Sequence, residues 1–196
     1  MQKAKIINST KFLQFKSVKS PSGNDWYYAH RTNDTNAHDS AVCITAVVKI
    51  NDKYNFLLLK TSRPPLYAQN KAQYCIETPA GLIGDEDKNE KLIECAKKEL
   101  LEETGLIADK LYLELTNSSS SSGLTSETLS YVTAVVFNPV ESKKPVSDGG
   151  IIVERFYVEC DKMFDFMDNL DKTKYSMATA AICGICFAKR RLVNLF

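Results

Sequence analysis

The sequence predicts a layered α/β or α+β domain, and three observations support this prediction. Strand-like segments fill the first part of the chain, one amphipathic helical segment follows, and further strands precede two final helical segments. The 196 residues suit one domain, and no internal repeat or long linker divides them. Hydrophobic residues make up 44% of the chain, which is ordinary for a globular protein and excludes wholesale disorder.

The individual elements follow from hydrophobic periodicity and from turn residues between the apolar runs. Apolar residues at three- and four-residue steps predict a helix over residues 89–104, and Gly105 stands where a C-cap glycine belongs. Five consecutive serines within residues 117–123 predict a surface loop. Further helices are predicted at residues 163–170 and 176–192, and strands at 11–18, 26–31, 42–50, 54–60, 73–78, 111–115, 128–137 and 151–159.

Charge and cysteine content restrict the partners and the compartment. The 25 Lys and Arg against 24 Asp and Glu leave a net charge of +1, which gives no general attraction to nucleic acid or to an acidic membrane. The most apolar stretch, residues 177–188, is shorter than the roughly 20 residues that span a bilayer. We therefore expect no nucleic-acid partner and no membrane partner. Without a secretory signal, the six cysteines are expected to be reduced thiols in a cytoplasmic protein.

Two further features are expected to be structural. Cys183 and Cys186 form a single CxxC without a second pair at ligand spacing, so both are interpreted as small apolar fillers of a buried helix. His30 and His38 are treated as surface residues because neither has a partner that suggests catalysis or metal binding.

The segment from Asp85 to Gly105 is strongly acidic, with eight carboxylates against four lysines. An exposed, solvated helix face is the ordinary explanation. However, helical spacing places Glu99 and Glu103 at the edge of the apolar stripe, with Glu102 on the same side. Carboxylates at these spacings repel each other, increasingly so as they are desolvated, and a divalent cation would remove the repulsion. Hard oxygen ligands suit Mg²⁺ or Mn²⁺, so the sequence predicts a metal site here.

The spacing of the acidic segment carries a family resemblance. Gly84, Glu90, the run Lys98-Glu99-Leu100, Glu102-Glu103 and Gly105-Leu106 keep the spacing of the Nudix box over 23 positions. The segment thus resembles a loop–helix–loop that binds a divalent metal and hydrolyses a nucleoside diphosphate linked to another group. Lys98 replaces the usual arginine and lacks its planar fork, so we expect slightly looser orientation of the glutamates.

The resemblance extends to the ADP-ribose and ADP-sugar pyrophosphatases of this family. It is carried by residues 26–31, 63–65, 77–83 and 122–127, in the same order along the chain. It implies an α/β/α sandwich with a mixed β-sheet and an N-terminal antiparallel strand region. Residues 1–40 would then form an N-terminal β-strand region for dimerisation and substrate contact, and residues 41–196 the Nudix hydrolase domain. The resemblance also implies a homodimer.

The resemblance implies roles for the acidic helix and for the segment before it. Glu99 and Glu103 would bind the metal together with the backbone carbonyl of Ala80. Glu102 would be a further ligand or a catalytic carboxylate beside the metal, although an exposed glutamate near a helix end can also be without a role.

The resemblance implies four substrate-binding residues. Trp26 would stack on the base, in its own site or in that of the partner subunit, and a lone tryptophan can equally be a filler. Arg31 and Arg63 would clamp the diphosphate, because guanidinium groups match phosphate oxygens, whereas ordinary surface arginines are the alternative. Glu127 would hold the substrate or one of the arginines.

The catalytic base is the least determined residue. The subfamily usually carries a glutamate in a loop that here corresponds to residues 147–150, and Asp148 is the carboxylate within it. Asp148 could also be an ordinary turn residue. Glu154 and Glu141 are the alternatives.

These roles predict a Mg²⁺-dependent hydrolase, with Mn²⁺ as an alternative ion. It would cleave the diphosphate of ADP-ribose or a related nucleoside diphosphate sugar into a nucleoside monophosphate and a sugar phosphate. One alternative is a catalytically impaired Nudix-fold binder or sensor of nucleotide sugars. The other is a Nudix hydrolase that acts on UDP-sugars, GDP-sugars or nucleoside triphosphates.

Overall fold

A three-stranded antiparallel sheet forms the N-terminal layer of the protein. The computed structural model describes residues 3–32, 40–140 and 151–193. The strands of this first sheet are β1 (Lys5–Ser9), β2 (Leu13–Lys19) and β3 (Asp25–Arg31), in that spatial order. The sheet matches the N-terminal antiparallel strand region that the sequence predicts.

The main sheet has eight strands and is mixed. Its spatial order is β11–β6–β5–β4–β9–β8, with β10 paired to β5 and β7 paired to β4. The β4–β9 and β6–β11 pairs are parallel, and the other pairs are antiparallel. The strands are β4 (Ala41–Ile50), β5 (Lys53–Thr61), β6 (Tyr74–Glu77), β7 (Ala80–Leu82), β8 (Lys110–Ser119), β9 (Thr128–Val136), β10 (Ile152–Glu159) and β11 (Tyr175–Met177).

Helices cover both faces of the main sheet. They are α1 (Pro64–Ala68), α2 (Leu92–Thr104), α3 (Met163–Asp168) and α4 (Thr179–Val193), and a 3-10 turn (Cys160–Lys162) precedes α3. Buried Ala96 and Leu100 of α2 pack on one face, and Met163 of α3 and Ile185 of α4 pack on the other. The predicted α/β/α sandwich with a mixed sheet is therefore confirmed.

The acidic helix ends where the sequence predicts. Gly105 has a left-handed backbone with φ of 76°, and its N–H donates to the carbonyl of Leu101. Only a residue without a Cβ adopts this conformation readily, so the chain turns off the helix at this glycine. The helix begins at Leu92 rather than at residue 89, and the Glu94 carboxylate accepts a hydrogen bond of 3.2 Å from the Lys91 N–H.

Two boundaries differ from the predicted ones because tertiary pairing overrides local composition, and three short elements were not predicted. Ser118 and Ser119 belong to β8, where they pair with Leu129 and Thr128, so the serine-rich loop starts later. Residues 175–177 form β11 beside β6 before α4 begins, and the predicted helix over 176–192 is too long. The short elements β1, β7 and α1 were not predicted, since each has only three to five residues.

The cysteines and the helices complete the comparison with the sequence. Cys43, Cys75, Cys95 and Cys160 are buried, and Cys183 is partly buried. The prediction for Cys186 is wrong, because this residue lies on the exposed side of α4. Within the described ranges, every helix falls short of the length and apolarity that crossing a membrane requires.

Candidate functional site

A cleft of about 640 Å³ lies where β4, β7 and β9 meet helix α2 and the end of β3. Seven of the sequence-predicted site residues line it, namely Arg31, Arg63, Ala80, Glu99, Glu102, Glu103 and Glu127. Asp85 and Glu86 add two carboxylates, and Ala41, Cys43, Leu82, Leu129 and Ala180 supply an apolar part of the wall. The structure therefore brings most of the predicted site into one cavity.

Glu99 is largely buried in the wall of the cleft, with a side chain that is 13% exposed. Its carboxylate rests on the backbone of Gly81, where a Cβ atom would stand 2.1 Å from the Glu99 Cδ. Burial raises the pKa of Glu99 to about 7, and the charge of Glu102 adds to this effect while Lys98 opposes it. A bound cation would offset the cost of that desolvated charge.

Lys98 places its ammonium group among four carboxylates. Burial opposes its charge, but the hydrogen bond to Glu90 and the neighbouring carboxylates raise the pKa of Lys98 above its usual value. The side chain therefore remains charged and shields part of the negative charge of the helix. The distances from Nζ are 3.2 Å to Glu90, 3.5 Å to Asp85, 3.5 Å to Glu86 and 3.7 Å to Glu99.

Glu103 is held at both its side chain and its backbone. Its Oε2 accepts a hydrogen bond of 3.1 Å from the N–H of Ala80. Its backbone carbonyl accepts a hydrogen bond from Nε of Arg155, which lies on β10. The predicted metal ligands Glu103 and Ala80 are thus adjacent in space, although 23 residues separate them in sequence.

Each cleft arginine is paired with a glutamate. Nε of Arg31 lies 2.5 Å from Oε2 of Glu127. Nη2 of Arg63 lies 2.7 Å from Oε2 of Glu77, and the same oxygen accepts a hydrogen bond of 2.8 Å from the Thr61 hydroxyl. These carboxylates orient the guanidinium groups and leave other N–H donors for an anion in the cleft.

The N-terminal sheet attaches to the segment of residues 120–127 in the same chain. Backbone hydrogen bonds join Ala29 to Leu124 and Ser126, at 2.8 and 3.1 Å. Nδ1 of His30 is hydrogen-bonded to the Ser126 hydroxyl at 2.7 Å in an exposed contact, so this histidine helps to attach the sheet at the surface. This attachment brings Arg31, at the end of β3, into the cleft.

Trp26 lies beside the cleft rather than among the described residues that line it. Its indole N–H donates to the carbonyl of Gly123 at 3.1 Å, and its side chain is half exposed. The base-stacking role of Trp26 stays a prediction.

The candidates for the catalytic base are only partly described. Asp148 and Glu141 fall outside residues 3–32, 40–140 and 151–193. Glu154 lies on β10, where its Oε2 is 3.2 Å from Nζ of Lys60, and it is not among the described residues of the cleft wall.

The carboxylates of the cleft are the kind of ligand that a hard divalent cation prefers. Glu99, Glu102 and Glu103 offer hard oxygen donors along one wall, and the buried Glu99 charge favours a cation. In the described parts of the chain, no three His, Cys, Asp or Glu side chains converge on one metal position. The glutamates would therefore have to adjust their side-chain torsions to bind an ion together.

Sequence reasoning missed Glu77 as the partner of Arg63, and it missed Arg155 as the partner of the Glu103 carbonyl. Glu77 begins the segment whose resemblance to the pyrophosphatases was noted, so its presence near the site could have been found. No signal in the sequence marks Arg155, because its contact joins β10 to the end of α2, which are distant in sequence.

Comparison with known proteins identifies the family. The NUDIX domain family matches residues 40–178. The chain is 30% identical over 155 residues to an uncharacterized Nudix hydrolase of Schizosaccharomyces pombe, covering 78% of this chain and 71% of that protein. It is 30% identical over 194 residues to nudix hydrolase 2 of Caenorhabditis elegans, covering 93% of this chain and 83% of that protein. The chain therefore belongs to the Nudix hydrolase family.

Solved structures share the same fold. The match to the crystal structure of an ADP compounds hydrolase covers 100% of this chain and 97% of that protein, at a TM-score of 0.64 and 18% identity. The match to the NUDIX domain of Shewanella oneidensis NrtR, complexed with ADP ribose, covers 82% of this chain and 92% of that domain, at a TM-score of 0.56 and 15% identity. At these identities the likeness concerns the fold, and it agrees with the predicted Nudix architecture.

Proposed function

We propose that this Nudix hydrolase cleaves the diphosphate of ADP-ribose or of a related nucleoside diphosphate sugar. The products are a nucleoside monophosphate and a sugar phosphate, and Mg²⁺ is the required ion, with Mn²⁺ as a substitute. The observation that carries this proposal is the composition of the cleft, where carboxylates of α2 face Arg31 and Arg63. Such a cleft accepts a diphosphate only together with cations, and it offers guanidinium donors for the phosphate oxygens.

The side chains divide the work of binding and orientation. Arg31 and Arg63 donate to non-bridging diphosphate oxygens, each held by its glutamate partner. Glu99, Glu103 and the Ala80 carbonyl, which line the cleft with Glu102, would hold the metal. A metal bound there would neutralise phosphate charge and lower the pKa of the attacking water.

Hydrolysis joins a water oxygen to one phosphorus and breaks the bond between that phosphorus and the bridging oxygen. We assign the acceptance of the water proton to Asp148, and the bridging oxygen leaves as part of the second phosphate. Glu154 and Glu141 remain the alternative bases. Of the two carboxylates outside that loop, Glu154 is already engaged with Lys60.

A substrate panel tests the activity. Purified protein with Mg²⁺ and ADP-ribose should release AMP and ribose phosphate, detected by ion-exchange chromatography, and UDP-glucose, GDP-mannose and nucleoside triphosphates should react more slowly. Glu99→Gln should abolish turnover while the far-UV circular dichroism is unchanged. Glu94→Gln is the matched control, because Glu94 is exposed on the same helix and glutamine keeps its oxygen acceptor at the helix start.

One observation favours a second candidate, a nucleotide-sugar binder without catalysis. Lys98 stands 3.7 Å from Glu99, where its charge competes with a metal ion for that carboxylate. In that case the protein would bind ADP-ribose in calorimetry but release no AMP at any Mg²⁺ or Mn²⁺ concentration tested.

We also propose a homodimer formed through the N-terminal sheet. Leu13, Phe15 and Tyr27 are each about half exposed, and the rings of Phe15 and Tyr27 stack with centroids 5.7 Å apart. A second copy would cover this apolar face, and Trp26 could then serve either its own or the partner's cleft. Sedimentation should show a dimer that Phe15→Asp converts to a monomer, while Lys11→Glu, at an exposed turn, leaves it intact.

We also propose a cytoplasmic location, which agrees with the presence of six free cysteines.

A further inference from the structure

The last turn of α2 requires partners for its backbone carbonyls. The final four carbonyls of a helix have no partner within the helix. Among these four, the Leu101 carbonyl accepts from the N–H of Gly105, and the Leu100 carbonyl just before them accepts from the Thr104 hydroxyl. The Glu103 carbonyl accepts from Nε of Arg155, a residue from a different layer of the fold.

Arg155 reaches this carbonyl from β10, which joins the main sheet by pairing with β5. It is half-buried on β10 and pairs with Leu59 of β5, which in turn pairs with Glu77 of β6. Directly paired residues share one face of a sheet, so Arg155 and Glu77 flank Leu59 on the same face. Glu77 holds Arg63, and Arg155 holds Glu103, so one row of the sheet supports two walls of the cleft.

The contact matters because of which residue it holds. The Glu103 carboxylate is bonded to the Ala80 N–H, so the residue is fixed at the backbone by Arg155 and at the side chain by Ala80. We propose that Arg155 is a positioning residue that sets the direction of the Glu103 carboxylate toward the metal. This inference rests on the proposed role of Glu103 as a metal ligand.

If Arg155 were only a structural helix cap, its removal would have different effects on stability and on metal affinity. A cap would lower the stability of the fold when removed but leave the metal affinity of the folded protein unchanged. A positioning residue changes metal affinity and kcat in protein that remains folded. Residues that orient metal ligands commonly change affinity or activity by about 10–100-fold when they are replaced.

The experiment compares Arg155→Ala, Arg155→Lys and wild type. Mn²⁺ affinity is measured by electron paramagnetic resonance titration without substrate, well below the unfolding temperature of each variant. We expect Arg155→Ala to raise the Mn²⁺ Kd about tenfold and to lower kcat for ADP-ribose, with little change in KM. Added guanidinium ion should restore part of the affinity, because it can replace the lost donor.

Two variants complete the design. Arg155→Lys keeps the charge but lacks the planar fork, so its Mn²⁺ Kd should lie between those of Arg155→Ala and wild type, and it tests the inference if Arg155→Ala does not fold. Lys53→Ala is the control, since Lys53 forms an exposed ion pair with Glu159 at the opposite end of β10 and should bind Mn²⁺ like wild type.

The inference is overturned if the folded variants bind Mn²⁺ like wild type, even when their unfolding temperature falls. It is also overturned if wild type binds no Mn²⁺, because Glu103 is then not a metal ligand. If wild type binds Mn²⁺ and the Arg155 variants bind it more weakly, the inference stands even without hydrolysis of ADP-ribose. In that last case only the proposed substrate class fails.

Discussion

Glu99 lies against Gly81 so closely that the glycine Cα cannot carry a side chain without displacing the carboxylate. A Cβ atom at that position would stand 2.1 Å from the Glu99 Cδ and 2.2 Å from its Oε1. Because Glu99 is a proposed metal ligand, the smallest possible substitution at Gly81 tests the site without removing any functional group.

Gly81→Ala should therefore lower kcat for the proposed substrate by about 10²-fold, because a displacement near 1 Å in a catalytic group has an effect of that size. Steady-state kinetics and Mn²⁺ titration measure the loss. Gly123→Ala is the control for metal binding, since its Cβ would meet only the Trp26 ring at 3.9 Å. Wild-type kinetics in Gly81→Ala would show that the placement of Glu99 is not important.

The pKa of Glu99 predicts how stability depends on pH without metal. Burial raises this pKa to about 7 from 4.5, so between these values the folded state binds more protons than the unfolded state. The free energy of unfolding should therefore decrease as the pH rises through this interval. Urea denaturation in EDTA at several pH values measures the slope, and Glu99→Gln should reduce it. An identical slope in wild type and Glu99→Gln would contradict the assignment.

The same proton links pH to metal binding. A protonated Glu99 must lose its proton to bind the ion, so Mn²⁺ affinity should increase by up to about tenfold per pH unit below the pKa of about 7 and level off above it. Calorimetry in two buffers with different ionisation enthalpies would count the proton released. An Mn²⁺ affinity that stays constant between about pH 5 and about pH 7 would exclude Glu99 as a ligand.

Gly184 allows α4 to approach β4. A Cβ there would stand 2.2 Å from the hydroxyl oxygen of Thr45, and that buried hydroxyl has no hydrogen-bond partner within the described ranges. Gly184→Ala should lower the free energy of unfolding by about 1–3 kcal/mol, as overpacked cores do. Combining it with Thr45→Ala should recover most of this loss, because the clashing atom is gone. Simple additivity in urea denaturation would refute the proposed clash.

Glu114 fastens the end of α4 to β8. Its side chain is 1% exposed, and both of its oxygens accept from Arg191 at 3.0 Å, while Arg190 adds a contact of 3.2 Å. Arg191→Met should lower the free energy of unfolding by about 1–3 kcal/mol, because a buried carboxylate loses its best donors. The exposed Lys19→Met, which breaks the pair with Asp25, should cost far less.

The helix and its glutamates could be predicted from sequence because their signals are local. The three- and four-residue spacing, the glycine at the C-cap and the acidic pattern all lie within residues 84–106. The burial of Glu99 on Gly81 was not predictable, since it depends on how β7 lies beside α2. The pairing of Arg31 with Glu127, across 96 residues of sequence, agrees with a role that only the family resemblance implied, because no local pattern links the two residues.

Some short strands cannot be predicted from local sequence patterns, because only their pairing partners make them strands. β7 has three residues and follows Pro79, so its sequence resembles a turn, and only the pairing with β4 makes it a strand. Ser118 and Ser119 have little intrinsic tendency to form a strand, and the neighbouring β9 holds them in one. Such elements are defined by partners that are distant in sequence.

The parallel pairing of β4 with β9 has a consequence for synthesis on the ribosome. Ala41 at the start of β4 stands beside Leu129 at the start of β9, and both residues line the cleft. A nascent chain therefore has no cleft until residue 129 and the rest of β9 have left the exit tunnel. Until then β4 lacks a central neighbour, and its apolar edge is open to chaperones or to other unfinished chains.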